Sequence, residues 1–300
     1  MKKVIVILGP TAVGKTAVSI EIAKHYGFEI ISGDSVAIYK ELDIGSAKPT
    51  KDEMKGVKHY LIDIKEAGSE YSVSDFQAEA RRIIDNSDDI KIISGGTGLY
   101  IQSVLFDYEF SSPKRDFDFE KKYKSYSNEE LYNHLLEIDN NIDTTKLHMN
   151  NRKRVLRAIE VFETTNRSIH SFNNKSKNIY DYYICYLSMP REKLYERIDK
   201  RVDIMIDDGL VEEVRKLYDK KIYPHAIGYQ ELRKYFDSEC SLSDAIDEIK
   251  KNTRHLAKRQ ETWFKNQMDS HFYDVDSNDI DKTINEIISD LDRWLKWKYI

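Results

Sequence analysis

An eight-residue stretch near the start of the chain has the residue types and spacing of a phosphate-binding loop. It fits the pattern G-x-x-x-x-G-K-[ST] and reads Gly9-Pro10-Thr11-Ala12-Val13-Gly14-Lys15-Thr16. Glycines at these positions let successive backbone N–H groups point inward at a helix N-terminus, where they bind anions. Lys15 adds a positive charge for terminal phosphates, and the Thr16 hydroxyl suits a magnesium ligand. The stretch predicts binding of a di- or triphosphate.

Two further candidate functional residues, Asp34 and Thr97, each follow a predicted strand. Asp34 comes after Gly33, and a carboxylate at that turn could accept a proton from an attacking hydroxyl or amine. The alternative is an aspartate that caps a helix or a turn. Thr97 lies between glycines in Gly95-Gly96-Thr97-Gly98, so its hydroxyl could donate to a phosphate oxygen or cap a helix.

Two arginines lie four residues apart on one face of a predicted helix. Arg197 and Arg201 follow the last predicted sheet strand, and the planar guanidinium matches phosphate oxygens. The alternative is a surface lattice of salt bridges with Glu196 and Asp199. Magnesium-dependent ATPases usually place an acid after a buried strand, and the strand before Gly95 ends without one. Asp63 is either a substitute ligand for the magnesium or a turn residue. The missing acid argues against a motor-type ATPase and leaves small-molecule kinases and group transferases as candidate classes.

Strands and helices alternate over the first hundred residues, which predicts an α/β fold: a P-loop NTPase-like parallel sheet with helices on both faces. Ligands of such sheets bind beyond the carboxyl ends of the strands, so the three loops should converge on one cleft. The predicted strands are Val4–Leu8, Glu29–Ser32, Tyr60–Ile64, Ile90–Ser94 and Tyr182–Met189. The predicted helices of this core are Ala17–Tyr26, Ser74–Ile84, Leu194–Ile206, Val211–Tyr218 and one spanning Ile284 to Leu295.

The pattern changes between polar breaks at 112–115 and 173–178, where charge-dense helical segments predict a mainly helical insertion domain. We expect a catalytic core of residues 1–110 and 181–300 and an insertion of residues 111–180. The insertion contains a basic run from Lys146 to Arg157, and a second basic run extends from Lys250 to Arg259. Neither run contains an acid, which suits either a solvated helix face or contact with a phosphate backbone.

Composition and charge limit the cellular location and the kinds of cysteine site that the chain can have. The formal net charge is −5, and the two cysteines give neither a disulfide framework nor a metal pair. No apolar run approaches the length of a membrane span, and from the strand near the start of the sequence we expect no signal peptide. We therefore expect a cytoplasmic protein without a membrane partner.

Seven motifs occur together in an order that resembles the tRNA dimethylallyltransferase (tRNA isopentenyltransferase) family in its bacterial form. The phosphate loop is the first of them. The others are Ser32-Gly33-Asp34-Ser35, Asp43-Ile44-Gly45-Ser46-Ala47-Lys48-Pro49, Gly95-Gly96-Thr97-Gly98-Leu99-Tyr100, Arg154-Val155-Leu156-Arg157-Ala158-Ile159-Glu160-Val161, Ala226-Ile227-Gly228-Tyr229 and Ala257-Lys258-Arg259-Gln260-Glu261-Thr262-Trp263-Phe264. Each later motif is weak alone, but the ordered set from residue 4 to 265 is specific.

The resemblance implies a prenyl-transferring enzyme. Family members move a dimethylallyl group from dimethylallyl diphosphate to N6 of the adenine 3′-adjacent to the anticodon, in tRNAs that read codons beginning with U. Mg²⁺ assists and diphosphate leaves. The resemblance implies that residues 9–16 hold the donor diphosphate, that Thr16 serves the metal, and that Asp34, Thr97 and Arg201 are catalytic. We expect a monomer whose partners are dimethylallyl diphosphate and the anticodon stem-loop of tRNA.

The resemblance also implies a set of RNA contacts. They are Asp34, Ser35, Val36, Ala37, Lys153, Arg154, Arg157, Gly228, Tyr229, Lys258, Arg259, Gln260 and Trp263. The chain departs from the family pattern around Ala-Ile-Gly-Tyr, because His225 and Gln230 stand where basic residues are common. Two alternatives share the phosphate loop: an adenylate isopentenyltransferase acting on a free nucleotide, and a small-molecule kinase. A nucleotide-dependent binding module is the weakest alternative, since the chain has no guanine-reading motif.

Overall fold

The chain folds into two compact units. The structure, a computed structural model, describes residues 1–108, 110, 118–172, 177–276 and 278–296. The first unit comprises residues 1–105 and the chain from 179 onward, and the second unit comprises residues 106–178. The polar break predicted at 112–115 lies outside the described residues, as do residues 173–176 of the second break.

A parallel sheet forms the centre of the first unit. Its strands are β1 (Lys3–Leu8), β2 (Glu29–Ser32), β3 (His59–Tyr60), β4 (Lys91–Gly95), β5 (Asp181–Ser188) and β6 (His271–Asp274). Within the described residues these six strands pair in the order β3-β2-β4-β1-β5-β6, and every pairing is parallel. The carboxyl ends of all six strands therefore lie at the same edge of the sheet, where the phosphate loop begins.

Helices connect most of the strands, and the regular elements in the described part of the second unit are also helices. They are α1 (Lys15–Tyr26), α2 (Val73–Asp85), α3 (Gly98–Leu105), α4 (Phe119–Lys122), α5 (Asn128–Ile138), α6 (Arg152–Thr165), α7 (Arg191–Asp207), α8 (Leu210–Asp219), α9 (Tyr229–Phe236), α10 (Leu242–Gln267) and α11 (Ile280–Lys296). Helices α4 to α6 and a short 3₁₀ helix (Ile169–Ser171) belong to the second unit. None of the helices in the described parts of the chain combines the length and apolar character that a membrane crossing requires.

Burial along β1 shows that both faces of the sheet are covered. Ile5 and Ile7 are fully buried and belong to one apolar cluster with Val18 of α1 and Ile287 of α11. The intervening residues of β1 point to the opposite face, since strand side chains alternate, and they are also fully buried. The predicted α/β class with a doubly covered parallel sheet is confirmed, and its β-branched strands suit burial on both faces.

The second unit has its own apolar core, because α5 and α6 face each other with aliphatic stripes. Leu131 and Leu135 of α5 and Val155 and Ile159 of α6 are fully buried in this core. Both helices have defined N-termini: α5 begins with a capping box, and the Asn151 side chain caps α6. These caps satisfy backbone donors that a helix start would otherwise leave unpaired.

Candidate active site

The phosphate loop connects β1 to α1 and points its lysine back over the loop. Gly14 caps α1 in a left-handed conformation with φ of 111°, so that Lys15 is the first helical residue. The Lys15 ammonium donates to the carbonyl oxygens of Gly9 at 3.0 Å and Pro10 at 2.8 Å. Thr16 is exposed in the first turn of the helix. The loop therefore places a cation and a free hydroxyl at a helix N-terminus, where anions are stabilised.

Two more predicted residues, Arg201 and Asp34, lie near enough to Lys15 for their charges to shift its pKa. The pKa of Lys15 is lowered to about 8, because burial and the nearby Arg201 guanidinium both lower it and the Asp34 carboxylate only partly opposes them. Burial also lowers the pKa of Arg201, which Asp34 partly counteracts. Arginine stays charged at physiological pH even so. Lys15, Arg201 and Asp34 thus form one cluster with an excess of positive charge.

Asp34 has one anchored oxygen and one open oxygen. Its Oδ1 accepts hydrogen bonds from the N–H groups of Val36 at 2.8 Å and Ala37 at 3.3 Å. Its Oδ2 has no hydrogen-bond partner among the residues that the structure describes. The turn-capping and proton-accepting interpretations of Asp34 are therefore compatible, because each uses a different oxygen. The anchored oxygen holds the carboxylate in place, and the other oxygen is left without a hydrogen-bond partner among the described residues.

Thr97 joins the loop after β4 to the turn that contains Asp34. The Thr97 N–H donates to the carbonyl of Gly33 at 3.3 Å, and the Thr97 hydroxyl oxygen accepts the N–H of Ser35 at 3.3 Å. The Gly33 N–H in turn donates to the carbonyl of Ser94 at 2.8 Å. The structure therefore brings the predicted residues Asp34 and Thr97 together at the carboxyl edge of the sheet.

Arg197 and Arg201 of α7 reach from the helix to neighbouring loops. Arg197 Nε donates to the carbonyl of Ala12 in the phosphate loop at 2.9 Å, and Arg201 makes a long 3.5 Å contact with the carbonyl of Ala47. A salt-bridge lattice along α7 does not form between the described side chains, because Asp199 pairs instead with Arg254 of α10. Arg197 thus contacts the phosphate loop and Arg201 the segment around Ala47, and neither is paired along the surface of α7 within the described residues.

A cluster of protein carboxylates for a metal is absent from the described residues. Asp63, the alternative magnesium ligand, lies in a turn with φ of 55° and pairs with Lys48. The turn interpretation of Asp63 is therefore the one that the structure supports. The Thr16 hydroxyl and the open Asp34 oxygen remain as oxygen donors near the phosphate loop. This sparse set fits Mg²⁺, which is usually held by one or two protein groups, waters and substrate phosphates.

The basic run of α6 divides into residues with structural partners and residues without them. Arg152 donates to the carbonyls of Tyr126 and Tyr123, and Arg157 pairs with the buried Glu160 at 2.7 Å. Lys153 and Arg154 are exposed and have no ion-pair or hydrogen-bond partner for their side chains within the described residues. These two side chains remain available for contact with a phosphate backbone.

The basic run of α10 also contains both residues with structural partners and residues without them. Lys250 and Arg254 pair with carboxylates of α7, at 2.5 Å for Lys250. Lys258 and Arg259 are exposed, and their side chains have no partner within the described ranges. The next residues turn inward: Gln260 and Trp263 are partly buried. A hollow of about 250 Å³ lies beside them, lined by Gly96, Gly98, Leu99, Arg259, Gln260, Trp263 and Phe264.

Glu213 is a site residue that sequence reasoning missed. Its carboxylate accepts the N–H groups of three consecutive residues, Asp43, Ile44 and Gly45, at 2.8 to 3.1 Å. The same carboxylate accepts the Tyr229 hydroxyl at 2.6 Å. The Tyr229 ring packs so closely on Gly45 that an added Cβ there would lie 2.5 Å from the ring. Glu213 and Tyr229 therefore fasten the 43–45 segment, which precedes the Ala47 carbonyl that Arg201 contacts.

Three residues predicted to contact RNA are buried in this structure. Tyr229 is 1 % exposed, Ala37 is 3 % exposed, and Gly228 is also buried. Direct RNA contact requires an accessible surface, which these residues lack, so we assign them to holding the site in shape. Asp34, Ser35 and Val36 remain partly exposed beside Ala37.

Replacing Glu213 with alanine should lower the free energy of unfolding by about 1–3 kcal/mol, because three backbone donors and a buried hydroxyl lose their acceptor. Glu212→Ala, on the neighbouring position of α8, should cost less than about 1 kcal/mol, since it removes only a favourable charge at a helix start. Urea denaturation of the two variants measures the difference. Equal losses would show that the 43–45 segment does not depend on Glu213.

Comparison with known proteins agrees with this geometry. The IPP transferase family model matches residues 37–267, which is most of the chain. The chain belongs to the IPP transferase family. A tRNA dimethylallyltransferase from Anoxybacillus flavithermus is 44 % identical over 297 residues, covering 96 % of this chain and 95 % of the relative. The resemblance inferred from the ordered motifs is confirmed.

Solved structures of IPP transferase relatives have the same fold over nearly the whole chain. The tRNA isopentenylpyrophosphate transferase from Bacillus halodurans is 37 % identical, covers 100 % of both chains and has a TM-score of 0.74. A eukaryotic dimethylallyltransferase acting on tRNA is 29 % identical, with a TM-score of 0.77 over 91 % of this chain and 74 % of that one. The family resemblance thus includes the sheet, the phosphate loop and the helical unit.

Proposed function

We propose that this IPP transferase transfers a dimethylallyl group from dimethylallyl diphosphate to N6 of the adenine 3′-adjacent to the anticodon, in tRNAs that read codons beginning with U. The observation that carries the proposal is the cluster of Lys15, Arg201 and Asp34 at the phosphate loop. It combines two cations for a leaving diphosphate with one open carboxylate oxygen. The relatives act on tRNA, which favours this function over prenylation of a free nucleotide and over a kinase.

The donor diphosphate binds, in this proposal, to the loop of residues 9–16. Lys15, Arg201 and the N-terminus of α1 supply positive charge, and Thr97 supplies a hydroxyl near the same edge of the sheet. Mg²⁺ would be held by Thr16 and the phosphate oxygens, and when bound it supplies positive charge that helps diphosphate to leave. In this proposal the enzyme acts as a monomer.

The reaction is a displacement at the first carbon of the dimethylallyl group. The N6 nitrogen of adenine forms a bond to that carbon while the carbon–oxygen bond to diphosphate breaks. An exocyclic amine is a poor nucleophile, so its proton passes to the open oxygen of Asp34. Lys15 and Arg201 stabilise the negative charge that develops on the departing oxygen. The adenine must leave its stack in the anticodon loop to reach this edge of the sheet.

The acceptor RNA is bound, in the same proposal, by the exposed cations of two helices. Lys153 and Arg154 on α6 and Lys258 and Arg259 on α10 have no competing partners in the described structure. Contacts of this kind hold the phosphate backbone and orient the RNA, but they do not read its sequence. Arg157 and Trp263 contribute from less exposed positions.

A transfer assay tests the function directly. Purified protein is incubated with Mg²⁺, labelled dimethylallyl diphosphate and an anticodon stem-loop with three adenines after the anticodon, and AMP is offered in a parallel reaction. We expect label in the stem-loop alone, and no label when the target adenine is replaced by guanine. Label in AMP would support the free-nucleotide enzyme, and label in neither acceptor would reject prenyl transfer.

Removing the Arg154 side chain should weaken stem-loop binding regardless of sequence and reduce the slope of log K against log salt by about one, because one phosphate contact is lost. Filter binding at several salt concentrations measures this slope. Lys282→Ala, which removes one exposed charge from α11, should leave the slope unchanged. An unaltered slope for Arg154→Ala would assign the α6 run to a solvated helix face.

A further inference from the structure

Gln260 spans the gap between the phosphate loop and the loop that contains Thr97. Its Oε1 accepts the N–H of Thr11 at 2.9 Å, and its Nε2 donates to the carbonyl of Gly96 at 3.0 Å. Gln260 belongs to α10, which is far from both loops in sequence. One side-chain amide therefore cross-links two loops of the site through two hydrogen bonds of normal length.

The cross-link requires an amide with its donor and acceptor in this arrangement. The phosphate loop offers an N–H and the other loop offers a carbonyl, so the bridging group must accept at one end and donate at the other. A glutamate lacks the donor, a lysine lacks the acceptor, and an apolar side chain lacks both. The packing is also tight, because a Cβ added at Gly96 would lie 2.4 Å from the Gln260 amide nitrogen.

The Gln260 amide lies close to Lys15 and the Thr97 loop, and it is not on the exposed surface of α10. The same hypothetical Cβ at Gly96 would lie 3.8 Å from Lys15 Nζ. Gly96 is followed by Thr97, whose hydroxyl accepts the N–H of Ser35, the residue after Asp34. A continuous set of hydrogen bonds thus runs from the phosphate loop through Gln260 and the Thr97 loop to the Asp34 turn.

We propose that Gln260 is a positioning residue for the donor diphosphate, not an RNA contact like its neighbours on α10. It holds the Thr11 and Gly96 loops at a fixed separation, so that the phosphate loop and the Thr97 hydroxyl are ready for one diphosphate. The inference rests on the proposed function for the identity of the donor. The sequence motif assigns Lys258, Arg259, Gln260 and Trp263 together to RNA contact. The proposal separates Gln260 from this set, because Lys258 is exposed to solvent whereas Gln260 joins two loops.

Substitutions at 260 and 258 test this division of roles. Gln260→Met keeps the length of the side chain and removes both hydrogen bonds, whereas Gln260→Glu keeps the acceptor for Thr11 and adds a negative charge. Lys258→Ala is the matched control on the same helix. Binding of inorganic diphosphate with Mg²⁺ is measured by calorimetry, and binding of the anticodon stem-loop is measured by filter retention.

We expect Gln260→Met to weaken diphosphate binding about tenfold and to change stem-loop binding less than twofold, since two hydrogen bonds that orient the loop are lost. Gln260→Glu should weaken diphosphate binding further. Lys258→Ala should show the reverse pattern. If both 260 variants bind diphosphate normally and lose stem-loop affinity, Gln260 is an RNA contact and the proposal is wrong.

The binding measurements also separate this inference from the proposed function. A wild-type protein that binds diphosphate but transfers no dimethylallyl group would reject the function, while the comparison of the 260 and 258 variants would still decide the role of Gln260. Thermal melting of each variant verifies folding. If Gln260→Met melts well below the wild type, the ratio of diphosphate affinity to stem-loop affinity is compared in Gln260→Glu, because the added charge acts on both anions. A fall in this ratio supports the positioning role, and a rise rejects it.

Discussion

Replacing Asp34 with asparagine should reduce the transfer rate about 100- to 10,000-fold, the range typical for loss of a positioned general base. Asparagine keeps an oxygen for the N–H groups of Val36 and Ala37, so the turn should persist. The open oxygen of Asp34 is replaced by an amide nitrogen, which cannot accept the proton of adenine N6. Single-turnover transfer of labelled donor measures the effect on the chemical step.

The affinity of Asp34→Asn for the anticodon stem-loop should stay within a few-fold of the wild type, because the substitution removes no phosphate contact. Asp52→Asn, an exposed aspartate of the same unit, should transfer at the wild-type rate. Full activity in Asp34→Asn would remove Asp34 from the role of base. A loss confined to RNA affinity would make it a binding residue instead.

Substituting Lys15 with methionine should lower the transfer rate about 100- to 1,000-fold, the cost typical of removing one group that stabilises a developing anion. The effect also has a pH signature in the wild type. Lys15 has a pKa of about 8 in the free protein, so it is charged below that pH and neutral above it. Donor affinity should therefore be high at pH 7 and fall as the pH rises through 8.

Calorimetric titration with dimethylallyl diphosphate, without RNA, between pH 7 and 9 measures this dependence. Bound diphosphate favours the protonated amine, so the midpoint in the complex should lie above that of the free protein. Lys15→Met should bind weakly and with little change over the same range. Equal wild-type affinity at pH 7 and pH 9 would exclude Lys15 as the titrating group.

The apolar strands could be predicted from sequence, and the polar ones could not. The bounds predicted for β2 match the observed ones, and those for β1, β4 and β5 agree to within one residue at each end, because each strand contains a continuous run of β-branched or aromatic and other apolar residues. β3 ends at Tyr60 rather than at Ile64, since Leu61 and Asp63 adopt positive φ values. β6 has exposed, polar and aromatic residues and pairs only with β5, so no local pattern indicates a strand there.

In the site as well, residues that belong to contiguous motifs could be predicted, whereas contacts between residues far apart in sequence could not. The phosphate loop is a contiguous motif, and the structure brings Asp34 and Thr97 to it, as predicted from their positions directly after parallel strands. Arg201 reaches the same site from α7. Glu213 has no local signature, and the motif that contains Gln260 indicates RNA contact rather than a cross-link between loops, because their partners lie about 170 and 164–249 residues away in sequence. Such cross-links depend on how α8 and α10 pack, which a single sequence does not specify.

The point where the second unit joins the first has a consequence for the order of folding. β1 pairs with β5, so residues 3–8 must meet residues 181–186, which leave the ribosome much later. Phe106 bridges to Asn178, and Ile179 donates to the carbonyl of Leu105, so the insertion begins and ends at one place. Its helices have local contacts and can form early. Once formed, the insertion shortens the effective length of chain that must close before β5 reaches β1, which reduces the entropic barrier to completing the sheet.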